Sequence, residues 1–172
     1  MQDRNPPKYL IILFAVCGRL IPHLWNMTPT LSLSLLSGRL FKTWQAITLT
    51  LFGMLVSDAL LAILQHHAIL GSWSLFTYSA LLITTLAARY FSHNSWRSRI
   101  VLLLSSSLFF WLWTNFGCWL QMPLYPKNLF GLLQCYSAAL PFLQHQLLGD
   151  AVWFSALSCG YHYLKKRTFA MT

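Results

Sequence analysis

At 172 residues the chain is 56% hydrophobic and only 9% charged, with a mean hydropathy of +0.54, which excludes an ordinary soluble domain, whose surface needs far more polar cover. Its net charge of +9 points away from nucleic acid, because the basic residues form short clusters at the ends of apolar runs and no continuous stripe. Composition predicts an all-α, polytopic membrane helix bundle of about six transmembrane helices, one domain over residues 1–172, with the lipid bilayer as partner and no cofactor.

The N-terminus imitates a signal peptide: Arg4 and Lys8 precede the apolar residues 9–18, and Cys17 resembles a lipoprotein cysteine. The preceding "FAV" lacks the small residue such a cysteine needs, and no A-x-A site follows, so an uncleaved first span over 9–24 is expected, with Arg19 and Pro22 near its far end. "NMTPT" breaks the chain. Thr28 before Pro29 reads as an N-cap and N1 pair opening a second helix over 29–41. Thirteen residues reach only about 20 Å, short of the roughly 30 Å hydrocarbon core. A third span, 43–64, carries Asp58, one of three acidic residues in the chain. "QHHAILGS" leads to a fourth span, 73–91, and the basic "SHNSWRSR" to a fifth, 100–119. After "LQMPLYPKN" comes an apolar arm, 129–143, expected to break at Pro141. The last span is 146–164, closed by "KKR".

Six spans with both termini inside put Arg4, Lys8, Arg39, Lys42, Arg89, Arg97, Arg99, Lys165, Lys166 and Arg167 on the cytoplasmic side, and only Arg19 and Lys127 outside. That asymmetry fits the positive-inside rule and a multi-pass protein of the bacterial inner membrane. A five-span arrangement with a re-entrant second helix gives a weaker split of the opposite sense, and a seventh span over 129–143 would move "KKR" outside.

In this topology Arg19, Asp58, Asn115 and Asp150, from four helices, fall at similar height toward the outer face. His23, Asn26, Lys127 and His145 lie in the loops above. A charge at the centre of a membrane helix costs about 2.5–3.5 kcal/mol on insertion scales, so such residues normally face a bundle interior or a wet cavity. Two acids, Asp58 and Asp150, can balance two bases, Arg19 and Lys127. The functional reading is an outward polar pocket for a small-molecule solute; the bland one is that Arg19 with Asp58, or Lys127 with Asp150, only lock helices together. Trp25, Trp111, Trp113, Trp119 and Tyr125 frame the region. Interface anchoring accounts for most of them, with Trp119 and Tyr125 on the irregular loop the best candidates for ligand contact.

Gly53 with Ser57, Ala151 with Ser155 and Ala156 with Gly160 are small-xxx-small pairs, expected at close helix contacts. Cys17, Cys118, Cys135 and Cys159 show no CxxC spacing, and His66 with His67 diverge on a helix, so no metal site is expected; Cys118 alone offers one soft ligand. No Ser-x-x-Lys, HExxH or paired acids on one helix appear, and no catalytic residues are assigned. Asp58 with His23 or His145 is the nearest to an acid and base pair.

The segments "RLIPHLWNMTP", "GMLVSD", "TNFGCW", "LYPKNLFG" and "LLGD" resemble the pattern of a family of small bacterial inner-membrane proteins of unknown function. More distantly, the layout is similar to the substrate-binding S components of energy-coupling factor (ECF) vitamin transporters: six helices, a short second helix, and "LFGMLVSDALL" like their glycine-rich third helix. That resemblance implies an outward pocket for a vitamin or similar micronutrient, with an ECF-type membrane scaffold and ATPase subunits as partners. Arg19, His23, Asn26, Asp58, Asn115, Trp119, Tyr125, Lys127 and Asp150 make up the expected substrate-binding set. S components often dock their scaffold through an alanine-xxx-alanine surface on the first helix, whereas here Arg19 follows Ala15 by four, which leaves a solitary transporter open. The rod-shape membrane proteins of the cell-wall machinery share a similar plan and make a structural subunit the rival reading.

Overall fold

The computed structural model describes residues 8–20, 27–66, 68–91 and 95–170. Every regular element among them is an α-helix: α1 Lys8–Leu20, α2 Thr30–Leu40, α3 Thr43–Gln65, α4 Ser74–Phe91, α5 Trp96–Gln121 and α6 Leu129–Ala170. α3 and α5, at 23 and 26 residues, are long and apolar enough to cross a membrane; at 1.5 Å per residue they reach about 35 and 39 Å.

Local chemistry sets the helix ends. The Ser95 hydroxyl accepts from the Ser98 N–H and opens α5. α3 stops at His66, whose left-handed backbone (φ 56°) turns the chain while its N–H still bonds the Ala62 carbonyl.

The shortest helix lies at the centre. Thr30 through Gly38 of α2 are all buried, although the helix alternates leucine with serine, a pattern that would look poorly suited to a core. Most of its hydroxyls find partners: Ser34 Oγ donates to the Leu31 carbonyl at 2.7 Å and shares a hydrogen bond with Thr84 Oγ1 at 3.0 Å, and Ser32 Oγ donates to the Asp150 carbonyl at 3.0 Å, while Ser37 Oγ is buried with no hydrogen-bond partner among the described residues. Small side chains then let neighbouring backbones approach. Gly38 sits directly against the Thr85 carbonyl and the Ala88 methyl, where a Cβ has no room.

Around α2 the longer helices pair antiparallel. Thr85 donates to Thr50, and Tyr78 to Asp58, between α4 and α3. Trp113 donates to Ser79 between α5 and α4. Between α5 and α6, the Trp111 indole donates to the Ala139 carbonyl, Tyr136 to the Leu112 carbonyl and Gln146 to the Ser107 carbonyl.

Three expectations are corrected. The arm at 129–143 and the span at 146–164 are one helix, α6, of 42 residues with Pro141 inside it, about 63 Å long and twice the hydrocarbon core. Pro141 deprives the Ser137 carbonyl of its helical donor, but the bonds to α5 at Ala139 and Gln146 brace the helix on both sides of the proline. α2 begins at Thr30, with Pro29 as an N-cap that makes no side-chain cap bond. Thr28 takes a hydrogen bond from the Thr30 hydroxyl instead. Finally, only Gly53 with Ser57 is a buried small pair. Ala151, Ser155, Ala156 and Gly160 are exposed, and a Cβ on Gly160 would meet nothing within 4 Å.

Candidate functional site

Asp58 lies 15 residues into α3 and is buried, 3% exposed at the side chain. Burial of a carboxylate requires a partner, and α1 supplies one: Arg19 Nη1 is 2.5 Å from Asp58 Oδ1. The same nitrogen reaches Ser57 Oγ at 2.7 Å and Met54 Sδ at 3.1 Å. From α4, the Tyr78 hydroxyl donates to Asp58 Oδ2 at 2.7 Å. One turn of α3 (Met54, Ser57, Asp58) thus presents three acceptors to a single guanidinium, because positions four and three apart share a helix face.

Asp150 is the second buried acid, 2% exposed. Ser107 Oγ donates to its Oδ2 at 2.7 Å, and Ser32 Oγ donates to its backbone carbonyl at 3.0 Å. Its partners are neutral where the sequence suggested Lys127. They also move it. Ser107 is in the middle of α5, eight residues and about 12 Å along the helix from Asn115, so Asp150 sits deep within the bundle and not level with Asn115.

Between the two acids is a cavity of about 170 Å³ lined by Arg19, Thr28, Thr30, Leu31, Met54, Thr77, Phe110, Gln146 and Asp150. Each of the six helices contributes at least one of these residues. Arg19 is already engaged with Asp58, so the ionisable group left facing the cavity is the Asp150 carboxyl. Three threonines, with the glutamine amide, add both donors and acceptors. Among the described residues no other lysine or arginine lines it.

The expected site residues therefore separate. Arg19, Asp58 and Asp150 belong to the buried cluster and its cavity. Asn115 turns its amide onto the Trp111 carbonyl of its own helix. Lys127 is anchored at the turn between α5 and α6, donating to the carbonyls of Trp119 and Met122, with its ammonium 5.7 Å from the Trp119 ring centre. Trp119 donates to the Pro126 carbonyl at 2.9 Å, and the half-buried Tyr125 lies on the same turn. None of these four lines the cavity. Trp111 is buried, and Trp113 packs 5.3 Å from Phe76 and hydrogen-bonds Ser79, so both are packing residues. His23, Trp25 and Asn26 lie outside the described residues.

Sequence reasoning missed Tyr78, Ser107, Gln146 and the three threonines. Hydroxyls are frequent in apolar helices, and nothing in their local spacing marks these ones. The one available signal was the demand of Asp58 and Asp150 for donors from other helices.

Among the described residues, fold and site together define an all-helical arrangement of six helices, two of them long and apolar enough to cross a membrane, around a buried ion pair and a small cavity of mixed polar and apolar lining. The chain belongs to DUF6580, a family of unknown function whose model matches residues 2–171. No curated protein and no solved structure matches it.

Proposed function

We propose that the protein is a multi-pass protein of the bacterial inner membrane, both termini cytoplasmic, that binds a compact polar solute in the cavity beneath Arg19 and beside Asp150 and carries it inward. The observation that carries this reading is the convergence of six helices on one cavity that sets Asp150, Gln146 and three threonines among apolar neighbours. A charge lock needs two helices, and here the Arg19 and Asp58 pair already supplies one. Hydration and binding both need a cavity lined by donors and acceptors, and apolar packing needs neither.

Size and charge narrow the solute. An engineered cavity of about 150 Å³ holds benzene, so about 170 Å³ suits one ring or a smaller molecule. With Lys127 held at the turn, the acidic group at the cavity is the Asp150 carboxyl, whose acceptor oxygens favour a solute bearing an amine or several N–H donors. Its acceptor end would meet Thr28, Thr30 and the outer edge of Arg19. A small vitamin, its precursor or a nucleobase-sized compound fits, delivered by a solitary transporter or by a subunit with an ECF-type scaffold and ATPases.

The second reading, a structural subunit, is favoured by the closed geometry of the Arg19, Ser57, Asp58 and Tyr78 cluster. The two are separated by stability measurements on Asp150→Asn in detergent with a panel of compact amines, nucleobases and vitamin precursors. Binding to the folded state raises stability by mass action. A solute site gives a wild-type shift lost in a folded Asp150→Asn protein; a structural subunit gives no shift with any compound.

A further inference from the structure

The two buried acids have opposite surroundings. Asp58, 3% exposed at the side chain, has a guanidinium at 2.5 Å and the Tyr78 hydroxyl at 2.7 Å, so its negative charge is balanced where it stands. Asp150 is buried as deeply, 2% exposed, and the bond its carboxyl receives comes from a neutral hydroxyl, Ser107 Oγ at 2.7 Å. Among the described residues no cation forms a salt bridge with it. The helices around it explain why. On α1, Arg19 lines the same cavity but is held by Asp58 of α3, and on α4 the Tyr78 hydroxyl is given to Asp58 as well. α2 and α5 turn Ser32 and Ser107 toward Asp150; their nearest charged side chains, Arg39 and Arg99, lie seven and eight residues further along, about 10 and 12 Å. On α6 itself, His145 precedes Asp150 by five residues and Tyr161 follows by eleven.

We propose that Asp150 is a proton-exchange group: its carboxyl holds a proton while the cavity is empty and releases it when an amine cation takes the proton's place. A carboxylate withdrawn from water with no cation beside it is far costlier than the neutral acid, so two acids with different surroundings take different protonation states. The inference rests on the solute reading above and narrows the solute to a cationic amine. In the exchange the acid O–H bond breaks, its electron pair stays on the carboxylate, and the proton leaves to water on the side from which the solute entered. The ammonium then donates to the carboxylate oxygens, while Ser107 keeps its bond to Oδ2. One positive charge arrives as another departs, so neither state leaves an unbalanced charge inside the bundle. The Gln146 amide, which donates to the Ser107 carbonyl at 2.9 Å, ties the turn of α6 that carries Asp150 to the residue that serves it. Asp58 cannot act this way, because its cation is built in.

The test uses the detergent-purified full chain with ethylammonium as the probe. The empty wild type at neutral pH is expected to show the infrared carbonyl band of a protonated carboxylic acid, and Asp150→Asn, its fold checked by circular dichroism, to lack it. Ethylammonium is expected to abolish the band and to release one proton per cation bound, read with a pH-sensitive dye in weakly buffered solution. Its affinity should fall ~10-fold for each unit by which the pH is lowered, the slope of one competing proton. The proton count and the pH slope need no variant, so they decide the matter even if Asp150→Asn loses its fold. An empty wild type without the acid band, or one whose band persists in folded Asp150→Asn, overturns the proposal. Ethylammonium that binds with no proton released, and equally well at every pH, overturns it and leaves the solute reading standing. An acid band that neither ethylammonium nor any other compact amine abolishes overturns the exchange together with the solute reading.

Discussion

Breaking the Arg19 and Asp58 pair from either side is expected to destabilise the protein severely, whereas removing both partners is expected to cost far less than the sum. The side chains are 15% and 3% exposed and 2.5 Å apart. With Asp58→Asn the guanidinium loses its anionic partner and keeps neutral acceptors, Ser57 and Met54 among them, and with Arg19→Met the carboxylate keeps Tyr78 as a neutral donor. Stranding one member of a buried pair costs about 3–5 kcal/mol, while replacing both by neutral groups is often nearly neutral. Two single losses of about 3 kcal/mol each and a nearly neutral double variant give a coupling of about 6 kcal/mol in the double-mutant cycle. Tryptophan fluorescence during titration of the detergent-solubilised protein with a denaturing detergent reads this out for wild type, both single variants and the double variant. Single effects below about 1 kcal/mol that simply add would refute the reasoning and mark the pair as solvent-screened.

Ser107→Ala removes the 2.7 Å donor to Asp150 and is expected to cost about 1–3 kcal/mol, the penalty of an under-satisfied buried acceptor; the same unfolding titration measures it. Gly117→Ala would push a methyl into the Phe76 ring and is expected to cost about 1–3 kcal/mol through overpacking. Because the three atoms nearest that methyl all belong to the Phe76 ring, Phe76→Leu in the same chain should recover part of the loss. Trp111→Phe keeps most of the buried ring but forfeits the bond to the Ala139 carbonyl beside Pro141. A loss of about 0.5–1.5 kcal/mol is expected, with faster amide exchange in residues 137–145 than elsewhere in α6.

The sequence makes the helices legible and their joins less so. Apolar run length and flanking charge located α3, α4 and α5 to within a few residues, because those runs end at polar punctuation. Pro141 misled because a proline inside a helix ordinarily breaks it, and the bonds that brace α6, from Trp111 to Ala139 and from Gln146 to Ser107, join it to residues of α5 more than twenty positions away. Asp58 announced itself, since a carboxylate in an apolar run demands a cation and Arg19 was among the two at hand. Asp150 was assigned the wrong partner for the same reason: charge balance suggested Lys127, while hydroxyls from α5 and α2 meet its needs.

The most direct test of the central claim is thermal stability of the detergent-purified wild type, Asp150→Asn and Asp58→Asn across the compact-solute panel. The account requires at least one amine-bearing or N–H-rich compound to stabilise the wild type, and requires that shift to vanish in Asp150→Asn protein that still folds. It is contradicted if no compound shifts the wild type, or if the shift survives unchanged when the Asp150 carboxylate is removed.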